Sequence, residues 1–153
     1  MLNDIKNPFL LKMFFLRNLP SAWFWGISCK DFDSNSASVT IKHSWFNKNP
    51  YRSTYFAALA GTGEFATGIL AMQAIEAQPK PISMLVLNME ATFLKKAIGT
   101  TTFVCTQGQE VKETIQKAVD SAQPQTLVML AVGQNEKGEK VSEVRITWTF
   151  KAK

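Results

Sequence analysis

The segment from Ser53 to Ala77 constrains this chain more than any other. Its periodicity is helical, and between Ser53 and Ile75 it carries a single charged residue, Glu64. Pro79 and Pro81 close it. A helix this long and this apolar must be covered on most sides, and its flanks supply the cover. From Ser36 to Trp45, Ala37, Val39, Ile41, His43 and Trp45 alternate with polar residues, the pattern of a strand with one buried face. Ile82 to Phe93 and Ile98 to Thr106 read as two further strands. Thr126 to Gln134 and Val141 to Phe150 alternate again and join around Gly138 as a hairpin. Short connections favour antiparallel pairing. The expected architecture is α+β, with one long helix, about residues 53–77, packed against an antiparallel sheet.

The rest of the chain fits around that frame. Pro8 to Leu19 reads as a broad apolar helix that Pro20 terminates, part of an N-terminal helical segment, residues 1–19, packing on the domain. Ala22 to Phe32 carries Trp23, Trp25 and Ile27 at every second position, as a strand does, and Asp33-Ser34-Asn35 reads as a turn. Val111 to Ala122 is a short amphipathic helix. The four tryptophans, Trp23, Trp25, Trp45 and Trp148, lie in strand patterns, where core packing is the default. No repeat, low-complexity tract or linker interrupts the 153 residues, so residues 1–153 read as a single domain.

Charge and side-chain inventory narrow the chemistry. Seventeen Lys and Arg against twelve Asp and Glu leave a net charge of +5, a mild pull towards anions without the dense basic blocks of nucleic-acid arms. With His43 alone, sites that need two histidines are excluded. Cys29 and Cys105 cannot build a four-cysteine metal site or a disulfide framework. Neither a metal nor a resident cofactor is indicated. Lys12 and Arg17 cut the opening apolar run, and Asp4 stands where a signal peptide carries positive charge. No stretch reaches the length of a membrane span. Two widely spaced thiols read as reduced, and a cytoplasmic protein is expected.

Glu64 is the residue that stands out. Its neighbours three and four positions away are Ala60, Gly61, Thr67 and Gly68, so nothing on its own helix can pair with it. A step of about 100° per residue places Ser53, Ala57, Ala60, Gly61, Thr67, Gly68 and Ala71 on the same face as Glu64. Glycines there cost helix propensity, roughly 0.8–1 kcal/mol each relative to alanine, so something must approach closely: a sheet, a second subunit or a ligand. A carboxylate on such a face is hydrated, paired from another element or shifted towards its neutral form. Two readings follow: a distant ion pair or solvated carboxylate, and a general base or nucleophile lining a narrow cavity.

Other candidates carry less. His43 lies on the apolar face of its strand, where a satisfied core histidine is the expectation. Gly61-x-Gly63 with Gly68 has the wrong spacing and context for a dinucleotide loop. Lys95-Lys96, with Lys48 and Arg52, read either as solvated cations or as phosphate contacts.

The element order and three segments resemble the hotdog-fold acyl-CoA thioesterase superfamily, in an uncharacterised thioesterase-like branch. The segments are Asn49 to Gly68, similar to the loop-and-helix signature; Ala91 to Thr100, like a strand ending in a basic-flanked turn; and the terminal hairpin, with Glu136 to Glu139 at its turn and Ile146 to Phe150 in its last strand. The resemblance covers roughly residues 20–151. It implies a curled sheet wrapped around the central helix. It also implies an acidic helix residue that activates water or attacks the thioester, at the position of Glu64. The oxyanion donors it implies are backbone N–H groups at the helix start, near Phe56 and Ala57. Where many relatives carry His-Gly-Gly, this chain has Tyr55-Phe56-Ala57. The dehydratase histidine has no counterpart, because His43 lies on the preceding strand.

The function implied is hydrolysis of an acyl-CoA or related acyl thioester, with coenzyme A entering only as part of the substrate. Thr67 would help position water. Asn49, Tyr55, Ala60, Gly61 and Gly68 would line the substrate, and Arg52, Lys95 and Lys96 would contact its phosphates. A homodimer or dimer of dimers would complete the sites, and neither nucleic acid nor a membrane span is expected. The alternative is a non-catalytic binder of acyl groups or hydrophobic ligands on the same fold.

Overall fold

The computed structural model describes residues 7–153. Asp4 and the rest of the first six residues, on which part of the leader and N-terminal-helix readings rest, lie outside the described residues. Chain order is α1 (Pro8–Asn18), α2 (Pro20–Trp25), β1 (Ser28–Phe32), β2 (Ala37–Lys42), a 3-10 turn (Trp45–Asn47), α3 (Phe56–Glu76), β3 (Ile82–Phe93), β4 (Thr100–Cys105), α4 (Gly108–Ser121), β5 (Gln125–Gln134) and β6 (Lys140–Ala152). The six strands form one antiparallel sheet in the order β1-β2-β4-β5-β6-β3. Helix α3 packs against β2, β3, β4, β5 and β6, so the sheet curls around it. The α+β architecture with a central helix is the expected one.

Alternation in sequence becomes alternation in space. On β6, Val144, Ile146, Trp148 and Phe150 point inward while Glu143, Arg145, Thr147 and Thr149 point out. Gly138, at φ 77°, makes the tight turn of the β5–β6 hairpin, where a side chain would be strained.

Three details differ from the sequence reading. Trp23 and Trp25 belong to a helix: Pro20 occupies its first turn and Gly26, at φ 73°, stops it. Strand β1 begins only at Ser28. On a helix, residues two apart diverge by about 200°, and so Trp23 is exposed while Trp25 packs against the core. Strand β2 ends at Lys42, and the next turn leaves Trp45 72% exposed instead of in the core. His43 is half-buried, with Nδ1 3.5 Å from the Thr54 hydroxyl. The long helix starts at Phe56, which leaves Ser53 in the preceding loop.

Asn47 ends β2 and aims α3. Its side-chain amide donates to the carbonyls of Trp25 (2.9 Å) and Lys42 (2.8 Å), and its side-chain oxygen accepts from the Ser44 N–H. Its own carbonyl accepts from the Tyr55 N–H at 2.7 Å. One buried residue thus ties the end of α2 and the end of β2 through its side chain and the entry to α3 through its backbone.

Candidate active site

The small-residue face of α3 is covered by the chain's own indoles. A Cβ on Gly61 would lie 2.7 Å from the Trp25 ring, and one on Gly68 would lie 3.6 Å from the Trp148 ring. Gly63 faces the sheet, where an added Cβ would sit 2.7 Å from Val144 and 3.3 Å from Phe103. Gly61 and Gly63 admit neighbours that alanine would hold off, whereas a methyl at Gly68 would be in ordinary contact.

Glu64 lies beside this packing. Its Oε1 is 3.5 Å from where a Gly68 Cβ would be, next to the Trp148 ring. Among the described residues its carboxyl has neither a hydrogen-bond nor an ion-pair partner. Desolvation by burial pushes its pKa up to about 7. The distant ion pair, one of the two readings of Glu64, is not formed with any described residue of its own chain.

Thr67 is fully buried and already engaged. Its hydroxyl donates to the Glu64 carbonyl at 2.8 Å and accepts from Trp148 Nε1 at 2.9 Å. The sequence reading missed Trp148 as a neighbour of the candidate acid. Its alternating position marked it as inward-facing, but only the strand register sets it against this turn of α3.

The entry to α3 forms a second locus. Tyr55 caps the helix without a side-chain hydrogen bond, and its carbonyl accepts from the N–H groups of Ala58 and Leu59. The N–H groups of Phe56 and Ala57 have no partner among the described residues, as expected for the first turn of a helix. Phe56 lines a cavity of about 360 Å³ together with Asn49, Leu59, Phe93, Lys95 and Lys96. Of the cations there, Lys95 pairs with Glu139 at 2.6 Å and holds that carboxyl below its ordinary range. Lys96 has no partner among the described residues. Asn49 builds the loop itself, its Oδ1 accepting from the N–H groups of Tyr51 and Ser53. Arg52 is exposed and holds φ at 61° in that turn.

The structure therefore brings Asn49, Phe56, Lys95 and Lys96 together, and separately Glu64, Thr67 and Gly68. Phe56 and Glu64 are eight helical steps apart, a rise of about 12 Å. One chain does not bring its acid to its own free N–H groups.

Solved structures with this fold share little sequence with the chain. A Pseudomonas aeruginosa protein of unknown function, described as a probable thioesterase, superposes with a TM-score of 0.80 at 16% identity, covering 95% of this chain and 97% of that one. A Haemophilus influenzae thioesterase gives 0.66 at 13% identity, covering 93% and 88%. A mutant thioesterase from Pseudomonas aeruginosa gives 0.69 at 14%, covering 96% and 95%. These likenesses establish the hotdog fold. No curated protein matches the chain. The family model described as "Domain of unknown function (DUF4442)" matches residues 9–150, nearly the whole length, and the chain belongs to that family.

Proposed function

We propose that this protein hydrolyses acyl thioesters, acyl-CoA among them, in a site completed by a second copy of the chain. The observation that carries the proposal is Glu64: a mostly buried carboxyl, without a partner among the described residues, on the central helix of a thioesterase-like fold. A base with a pKa near 7 holds enough of its charged form to take a proton from water at neutral pH. As nucleophile the same carboxylate would attack the thioester carbonyl and expel the thiolate, leaving an anhydride for water to open. The Phe56 and Ala57 N–H groups would stabilise the oxyanion in either route, aided by the positive end of the helix dipole. Thr67 acts by positioning, since it fixes Trp148 beside the acid. Ala60, Gly61, Gly68 and Tyr55 would border the acyl group, with Trp25 and Trp148 limiting its room over the glycines. Lys96, and more loosely Arg52 and Lys95, would meet the phosphates of coenzyme A.

The 12-residue edge strand β3 supports a dimer. Among the described residues its outer edge is unpaired, and Val86, Met89 and Phe93 share the inward-facing register yet are exposed. A long apolar edge of this kind is completed by another strand, and a twofold pairing would bring Glu64 of one copy towards the helix entry of the other.

The test is free-thiol release from a panel of acyl-CoAs by wild type and Glu64→Gln. Wild-type turnover should rise with pH through about 7, and the variant should lose roughly 10²–10⁴-fold. Full turnover by the variant removes Glu64 from the mechanism. The second reading, a non-catalytic acyl binder, draws on the packed rings of Tyr55, Phe56 and Phe93 at the helix entry, with centroids 4.8 and 5.9 Å apart. It requires ligand binding by a wild type that hydrolyses nothing in the panel.

A further inference from the structure

One face of the molecule combines exposed aromatic rings with positive charge. On α1, Leu11 and Phe15 are buried, while Phe9, Met13 and Leu16 project to the opposite side at 49–69% exposure. At about 100° per residue, Lys12 and Arg17 fall on either flank of that outward stripe. Lys12 also lines a groove of about 310 Å³ with Trp23, Phe24 and Phe46, which joins the stripe to a second apolar cluster. There Trp23 meets Phe24 at 5.0 Å, Phe24 meets Phe46 at 6.1 Å and Phe46 meets Trp45 at 5.3 Å, centroid to centroid. The Lys48 ammonium sits 5.4 Å from the centre of the Trp45 ring.

Charge identifies what this face suits. Residues 8–26 and 43–48, the segments that build it, contain no Asp or Glu; Asp31 and Asp33 come only on and after β1. The cations on these segments are Lys12, Arg17 and Lys48. An interface between copies of this chain would set these cations against their own kind, which is costly in a desolvated contact. An anionic surface neutralises them. Exposed Trp and Phe beside Lys and Arg is the composition that seats at a lipid headgroup boundary, rings in the acyl margin and ammonium or guanidinium groups at the phosphates. No helix among the described residues is long and apolar enough to cross a membrane, so the contact is with one leaflet.

We propose that the face built from α1, α2 and the Trp45–Asn47 turn docks on an anionic lipid bilayer. The rings insert at the headgroup level, and Lys12 and Arg17 engage lipid phosphates. The proposal does not depend on Glu64 or on thioester hydrolysis.

The experiment is co-sedimentation of the full chain with vesicles of phosphatidylcholine alone and of phosphatidylcholine with phosphatidylglycerol, at low and high salt. Binding should require the anionic lipid and fall at high salt. Lys12→Gln and Arg17→Gln should each weaken it about fivefold, and Phe24→Ser and Trp45→Ser about tenfold each. All four side chains are exposed, so circular dichroism should be unchanged in the variants. Trp45 emission should shift to the blue with anionic vesicles only. Equal binding to both vesicle types, or binding by the fourfold variant equal to wild type, overturns the proposal. So does sedimentation velocity in which Phe24→Ser with Trp45→Ser breaks an oligomer apart without lipid, which would assign the face to a second copy.

Discussion

The indole N–H of Trp148, on the last strand, donates to the hydroxyl of Thr67, on the central helix, across 2.9 Å. Because Thr67 in turn donates to the Glu64 carbonyl, one hydroxyl connects sheet, helix and candidate acid. Thr67→Val keeps the shape and deletes the acceptor, leaving a buried indole N–H unsatisfied. The expected cost is about 1–3 kcal/mol in denaturant unfolding, and Thr67→Ser should recover most of it. If Thr67→Val unfolds at the wild-type midpoint, the bond contributes nothing.

Glu64 should make stability depend on pH in a definite direction. Its pKa rises from the ordinary 4.5 to about 7 in the folded chain. Between those values the folded state keeps a proton that the unfolded state releases, so this group's contribution is full below pH 4.5 and is lost as pH climbs through 7. The loss is at most about 3 kcal/mol. Glu64→Gln should therefore gain on wild type between pH 5 and 8, approaching that margin at the upper end. Parallel stability curves for the two proteins would mean that the carboxyl is well solvated.

Gly63 is where α3 lies tightest against the sheet. In an open helix, Gly→Ala stabilises by about 1 kcal/mol. Here the new methyl would meet the Val144 side chain at 2.7 Å, including its Cβ, which cannot swing away. Gly63→Ala should instead destabilise by about 1–3 kcal/mol. The double variant with Val144→Gly, which removes both the Cβ and the methyls, should show favourable coupling in a thermodynamic cycle. Additive effects would contradict the contact.

Met89 tests the edge strand. It sits opposite Ile146 on the inward register of β3, yet it is exposed. Met89→Lys puts a charge where a second copy would cover the strand, and edge charges oppose strand pairing. Analytical ultracentrifugation should show a smaller species than wild type, with the proposed thioester hydrolysis lost alongside. A variant of unchanged mass would place any dimer contact elsewhere.

Much of the frame is legible along the chain because its signals are local. Strand propensity predicts β3 at the bounds it takes, alternation predicts β5 and β6 to within two residues, and the helical period with closing prolines predicts α3. The misread elements are those where a local pattern has two meanings. Trp23 and Trp25 are spaced as on a strand, but Pro20 and Gly26 frame a helix too short to show its own period. Trp45 continues the alternation of β2, but the buried amide of Asn47 ends the strand at Lys42 and turns the chain outward.

The sequence by itself determined that a helix with one carboxyl, which nothing on its own helix can pair, and a face of small residues must pack against an antiparallel sheet. It did so because periodicity, glycine content and the absence of a neighbouring cation are all readable within a few turns. Only the tertiary structure decided what fills that face and where the chemistry can gather. Strand register sets Trp148 beside Glu64, and the short helix α2 sets Trp25 over Gly61. The rigid rise of α3 separates Glu64 from the free N–H groups at Phe56. These are contacts between residues dozens of positions apart, and no local pattern encodes the path by which the chain returns to itself.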